Sequence, residues 1–365
     1  MPGIRPGGPQ FAERLHAAAA VIGSEDVATR AVPLARVVRG DLVESVHSGH
    51  LVVLDPDGQV LLALGDPRVT LLARSSLKPL QTVGMLRAGL SSVHPTGEQL
   101  ALACASHNGE DEHLRIVRGM LDAAGLTEDD LANTPDMPLD PDAAFAWRTA
   151  GHGAASITQN CSGKHAAMLM TTAAHDDEFG WDTDSYWEPE HPLQVALIAA
   201  VEELTGVPVE HTTIDGCGAP LFSTSLTGLA KAFGRIARAG AAFSAQSGVD
   251  VAALPEAQVA LAMSEHPELV GGTGRDVTRA MQAVPGLVAK DGADGVYAAG
   301  LPNGASLAFK IVDGGARPRP AVLAAALRVA GALDLPGVDI AELDALGTVP
   351  VLGHGEPVGA VVPAF

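Results

Sequence analysis

The sequence predicts an α/β (α+β) protein: an antiparallel sheet domain flanked by helices and interrupted by a largely helical insertion. Three observations carry this. Short β-rich runs gather towards both ends of the chain, helix-periodic runs fill its middle, and turn signals such as Asp55-Pro56-Asp57-Gly58 join neighbouring apolar runs into hairpins. The implied division is an N-terminal arm over 1–30, a sheet domain built from 31–80 plus 285–365, and a mainly helical domain over 81–284, with a site between the last two.

In chain order, residues 1–9 are rich in turn formers, and a helical segment is expected over 11–22. The apolar stretch over 17–23 is too short and too acid-flanked for a signal peptide or a membrane span. Strands are expected over 35–38, 42–47, 51–54, 60–64 and 69–72. Helices are expected over 80–88, 97–105, 110–124, 164–174, 192–205, 223–239, 251–264 and 275–283, with a strand at 211–214. Two segments without periodicity, 133–159 and 176–192, are long for loops inside a compact protein, which makes them candidates for covering a site. Strands return over 287–290, 295–299 and 306–312, the last two joined by the turn Leu301-Pro302-Asn303-Gly304. A helix over 321–333 and a strand over 357–362 close the chain.

Composition narrows the function. With 365 residues the chain can bury a large core in about two domains. Its net charge of -20 argues against nucleic acid or an anionic membrane as partner, because both demand a basic footprint. Three cysteines, Cys104, Cys161 and Cys217, form an odd and sparse set unlike a disulfide framework, so a cytoplasmic location is expected.

The chemistry concentrates in a few stretches. Arg74-Ser75-Ser76-Leu77-Lys78-Pro79 lies between an expected strand and an expected helix, and Ser75 and Lys78, three apart in a first turn, share one face. Serine is a weak nucleophile until an adjacent base takes its proton. A lysine kept neutral by burial or by a second cation is such a base. An isolated S-x-x-K is common. Followed by S-x-N and K-x-G it follows the motif order of serine β-lactamases and penicillin-binding proteins, and Ser106-His107-Asn108 and Lys290-Asp291-Gly292 come in that order.

Other stretches leave alternatives open. Asn160-Cys161-Ser162-Gly163-Lys164-His165 opens a helix, and Asp215-Gly216-Cys217-Gly218 follows a strand. Two thiolates from separate segments can share a zinc ion, but without a full Cys and His set their spacing alone favours two small buried thiols. Gly271-Gly272-Thr273-Gly274-Arg275-Asp276 reads equally as an anion site at a helix start or as a flexible turn. Glu110 either favours the start of its helix or grips a substrate amine. Arg74 either holds a carboxylate or pairs with one of 43 acidic residues. His107 and His165 stand out among 13 histidines only by adjoining the motifs.

Taken together, these stretches resemble the class 3 L-asparaginases, a zinc-containing group with a serine β-lactamase/penicillin-binding-protein-like fold. The resemblance spans nearly the whole chain after the arm. It implies two Ser–Lys pairs in one site, Ser75 with Lys78 and Ser106 with Lys290. It also implies a Zn2+ ion on Cys161, Lys164 and Cys217 with Asp215 behind it, and a homodimer. Arg74, His107, Asn108, Glu110, His165, Asp215, Gly272 and Gly274 become candidates for substrate binding. The implied reaction is hydrolysis of L-asparagine to L-aspartate and ammonia through an acyl-enzyme, with zinc placing the substrate. Ser76 departs from the family pattern, and on the first turn it is expected to point away from Lys78. Three rival readings stand beside this one. Glutaminase differs by one methylene of substrate, a β-lactamase or D-alanyl-peptide hydrolase would use the same motifs, and an inactive amino-acid-binding homologue is disfavoured by the intact serines and lysines.

Overall fold

The computed structural model describes residues 27–175, 180–245 and 254–365, so the helix expected over 11–22 lies outside the described residues. The chain opens with strands β1 (Val32–Arg39), β2 (Leu42–Leu54) and β3 (Val60–Leu64). The two strands expected over 42–47 and 51–54 are one, because the ladder passes from one partner to another at Gly49: β1 pairs up to that residue and a later strand pairs from it. The turn into β3 is closed by Asp55, whose carboxylate accepts from the N–H groups of Asp57 and Gln59 at 2.9 and 2.8 Å.

After β4 (Thr70–Leu72), the helices α1 (Lys78–Arg87), α2 (Gly97–Ala103), α3 (Asp111–Ala123), α4 (Pro141–Thr149), α5 (Ser162–Ala173) and α6 (Pro192–Thr205) follow. Helix α4 lies inside a segment expected to be loop. Asp140 caps it and Pro141 sits at its start, a local signal that outweighs the Pro- and Asp-rich composition. Next come β5 (Thr212–Ile214), β6 (Pro220–Ser225) and α7 (Leu226–Ser244). The helix expected from 223 begins only at Leu226, since Ser225 ends the strand and its hydroxyl accepts from Gly228 N–H as the cap. Helices α8 (Pro255–Glu265), α9 (Pro267–Val270) and α10 (Asp276–Ala283) precede β7 (Val288–Asp291), β8 (Val296–Gly300) and β9 (Ser306–Ile311). Helices α11 (Arg319–Val329) and α12 (Ile340–Gly347) and the hairpin β10 (Val349–Gly353) and β11 (Glu356–Pro363) complete the chain. Of these, β6, α9, α12 and β10 were not expected, being short and weakly periodic.

The main sheet runs β10-β11-β1-β2-β9-β8-β7, with β3 on β2, and every pairing is antiparallel. A second sheet, β4-β6-β5, ties the segment just before Arg74 to the middle of the chain. Helix α7 packs on β2, β8 and β9, and α11 packs on β1, β9 and β11. All residues of β7, β8 and β9 are buried, as in strands covered on both faces. The approach of α7 is close enough that a Cβ on Gly300 would stand 2.2 Å from the Phe233 carbonyl oxygen, so a side chain there would wedge the helix off the sheet. This packing carries the end of β7, and Lys290 with it, into the interior.

Candidate functional site

Residues Arg74–Leu77 form one 3-10 turn that packs against β7 and β8. Its first residue, Arg74, has φ +53°, a left-handed conformation that costs a non-glycine residue about 1–2 kcal/mol. Two carboxylates hold it there: Nε donates to Asp215 Oδ1 at 2.8 Å, and the guanidinium also meets Asp294. The reversed backbone leads into α1, which starts at Lys78, with Pro79 in the first turn where a missing N–H costs nothing. Ser75 is half-buried. Ser76 is fully buried, and its hydroxyl donates to the Lys290 carbonyl at 3.3 Å.

Lys78 is 1% exposed, and its Nζ donates to the Ala105 carbonyl, to Ser106 Oγ at 3.2 Å and to Cys161 Sγ at 3.1 Å. One amine therefore joins the second serine motif to the cysteine motif. Ser106 follows α2 and is fixed by its own N–H on the Val270 carbonyl, 3.0 Å. Lys290 is fully buried and donates to Asp291 Oδ1 at 2.5 Å and to the Asp291 carbonyl at 2.7 Å. Among the described residues the serine–lysine pair hydrogen-bonded side chain to side chain is thus Ser106 with Lys78, and the Lys290 amine turns to Asp291. A buried ammonium gains more from a full negative charge than from a hydroxyl dipole. Burial draws the Lys290 amine from 10.5 down to about 8, with Lys78 and Arg275 pushing the same way and Asp291 opposing. Burial would raise the Asp291 carboxyl, but Lys290, Arg275 and Arg319 hold it well below the usual carboxylate range.

The cysteine stretches meet beside this group. The Cys161 thiol hydrogen-bonds the Cys217 sulfur, and Lys164 Nζ donates to Cys217 Sγ at 3.4 Å. The bond from Cys161 is the largest influence drawing Cys217 down to about 5, and Lys164 adds to it against burial. The same bond, with burial, pushes Cys161 up to about 12. Burial alone would lower Lys164, but the two sulfurs and Asp215 raise it. The set is a thiolate flanked by a thiol and an ammonium. Asp215 stays ionised, since Lys164 and Arg74 outweigh the effect of its burial. Among the described residues no cluster of three or more His, Cys, Asp or Glu side chains could hold a metal, and this set reaches three donors only with Lys164. Its donors nonetheless fit zinc. Bonds of about 2.3 Å to sulfur and 2.0 Å to nitrogen in a tetrahedron place S and N about 3.6 Å apart, against 3.4 Å for Lys164 and Cys217.

The remaining candidates sit in two shells. His107 is buried between Ser162 Oγ, 2.8 Å from Nε2, and the Gly109 N–H, which donates to Nδ1 at 3.1 Å. Burial first, then His113, Lys78 and Arg275, keep it neutral. Tyr186 hydroxyl lies 2.7 Å from His165 Nδ1, and burial keeps that ring neutral too. Glu110 caps α3 and anchors the glycine loop, accepting from Thr273 N–H at 2.9 Å and Thr273 Oγ1 at 3.2 Å. Asn108 Nδ2 donates to the Thr273 carbonyl at 3.4 Å. Gly272, at φ +118°, lies so close to Asn108 that a Cβ would stand 2.3 Å from its Cγ, whereas Gly274 has open space. Sequence reasoning passes over Asp291 and Arg319 as site residues and weighs Arg275 only within the glycine-loop anion reading. The only available signal for Asp291 was its place inside the Lys290-Asp291-Gly292 motif.

No curated protein matches the chain. A family model described as L-asparaginase II matches residues 35–363, from β1 to the last residue of β11. Among the described residues no helix is long and apolar enough to cross a membrane. The matched span takes in every motif gathered around Lys78, and the chain therefore belongs to the L-asparaginase II family.

Proposed function

We propose that this protein hydrolyses the side-chain amide of L-asparagine to L-aspartate and ammonia, with Ser75 as nucleophile. Family membership supports the substrate class. The observation that carries the mechanism is the buried Lys78 amine, which touches Ser106 and Cys161 at once, three residues beyond Ser75. In this reading Lys78 accepts the Ser75 proton as Oγ attacks the amide carbon, and backbone N–H groups near Ser75 take up the oxyanion charge. The proton held on Lys78 passes through Ser106 to the departing nitrogen, the C–N bond breaks, and ammonia leaves an aspartyl ester on Ser75. Water then attacks the ester, returning the proton to Ser75 and freeing aspartate. Lys290, titrating near neutrality at about 8, is suited to gain or lose a proton in the relay.

Cys161, Lys164 and Cys217 would hold a zinc ion, with Asp215 beside Lys164. Bound zinc supplies a Lewis acid that orients a substrate oxygen or nitrogen. Lys164 must then lose its proton, so metal binding weakens as pH falls. The site belongs where the sheet residues 31–80 and 285–365 meet the helical residues 81–284, and the protein works as a homodimer.

The test is ammonia release from asparagine, glutamine and isoaspartyl amides, with and without a chelator, beside a chromogenic β-lactam. Release from asparagine above all others supports the reading, and turnover of the β-lactam alone overturns it. Elemental analysis of the wild type and of a Cys161→Ser/Cys217→Ser variant decides the metal: zinc in the first and not the second is expected. Sedimentation measures the dimer.

A further inference from the structure

Around Lys290 lies a chain of charges that the mechanism above does not use. The Asp291 carboxylate, its side chain 6% exposed, meets three cations. Lys290 takes Oδ1 at 2.5 Å, and Arg275 and Arg319 share Oδ2 at 2.7 and 3.4 Å. The two guanidinium groups thus leave one oxygen to the lysine alone. Arg319 is itself held by Asp276 at 3.0 Å and lies 6.0 Å from the Tyr297 ring centroid. The other arm of Arg275 donates to Asn108 Oδ1 at 3.3 Å, and Asn108 in turn bonds Glu110 and the glycine-loop carbonyl of Thr273.

We propose that Asp291 and Arg275 are positioning residues for the amide hydrolysis inferred above: Asp291 aims the Lys290 ammonium, and Arg275 locks Asp291 to Asn108, so one carboxylate–guanidinium pair sets the second and third motifs relative to each other. This rests on that functional reading. The physical need is plain. A lysine ends a flexible four-carbon stem as a point charge, whereas the planar guanidinium of Arg275, with one arm on Asp291 and the other on Asn108, fixes the two relative to each other in direction as well as distance. The charges facing Lys290 are Asp291, Lys78 and Arg275, with Arg319 and Asp276 behind Asp291; the neighbouring Cys104 thiol, pushed up to about 12 by burial, is uncharged. Removing the negative member must lower the pH at which Lys290 ionises, and removing a positive one must raise it.

The experiment measures kcat/KM for ammonia release from asparagine against pH in the wild type, Asp291→Asn, Arg275→Gln and Arg275→Lys. Asp291→Asn should move the ionisation assigned to Lys290 to lower pH by about 1–3 units, and Arg275→Gln should move it to higher pH by up to about 1 unit. Both should lose activity at neutral pH, by about 100-fold if the displacement reaches 1 Å. Arg275→Lys should restore the profile but not the rate, since it returns the charge without the fork. Folded variants whose rates fall while their profiles stay at the wild-type position would overturn the proposal, because a merely structural role would look like that. If Asp291→Asn does not fold, Arg275→Gln, at a side chain 23% exposed, decides alone. A wild type that releases no ammonia overturns the functional reading and this proposal with it; an active wild type with unmoved variants overturns only the proposal.

Discussion

Replacing Lys78 by methionine tests the mechanism at its centre. The side chain keeps nearly its length and volume at a position 1% exposed, so packing in α1 is preserved while the amine and all three donated bonds disappear. Losing a general base costs about 10²- to 10⁴-fold. At 1.36 kcal/mol per tenfold this adds about 3–5 kcal/mol to the barrier. Stability responds differently. The Ala105 carbonyl and the Ser106 hydroxyl lose a donor, at about 1–3 kcal/mol for a buried orphan, but the fold no longer desolvates a polar amine, a cost of similar size. These offset, and the variant should melt close to the wild type. The assay is ammonia release at saturating asparagine together with a thermal unfolding curve. A folded Lys78→Met protein whose kcat lies within tenfold of the wild type would refute the role given to Lys78.

Other outcomes follow from the same geometry. Ser75→Ala should abolish ammonia release, while Ser76→Ala, which loses one bond to the Lys290 carbonyl worth about 1 kcal/mol, should keep it; the reverse pattern in a rate assay would exchange their roles. Lys290 binds its proton up to 10.5 when unfolded but only to about 8 when folded, so the unfolded chain holds the extra proton between those values and this group makes stability rise with pH across that window. Lys290→Met should remove that rise, on the order of 3 kcal/mol at 1.36 kcal/mol per unit, in urea titrations at pH 7.5 and 10.5; parallel curves for the two proteins would contradict it. Gly272→Ala forces a Cβ into Asn108 at φ +118° and should lower the melting temperature well below that of Gly274→Ala, which meets no atom and bears only the cost of a left-handed residue, about 1–2 kcal/mol.

Much of this molecule is legible one segment at a time. The hairpin at Asp55-Pro56-Asp57-Gly58 and the helices over Pro192–Thr205 and Asp276–Ala283 announce themselves through turn chemistry, proline placement and apolar spacing. These signals act over a few residues. The candidate chemistry is legible too, because Ser75, Lys78, Ser106 and Lys290 fall in three short motifs in a telling order. What no local pattern contains is the choice of partner. Strand Pro220–Ser225 hides between a glycine turn and a long helix, and its pairing with Thr70–Leu72, which joins the segment before Arg74 to the middle of the chain, is a long-range event. The same holds for the charges. The family resemblance implies that Lys290 serves Ser106, yet in the folded chain Lys78 reaches that hydroxyl and Lys290 takes Asp291. Residue types and spacing determine which groups are capable of the chemistry. Only burial and distance decide which of them meet, since a charge sealed from water must take the strongest partner within a few ångströms, wherever in the chain that partner lies.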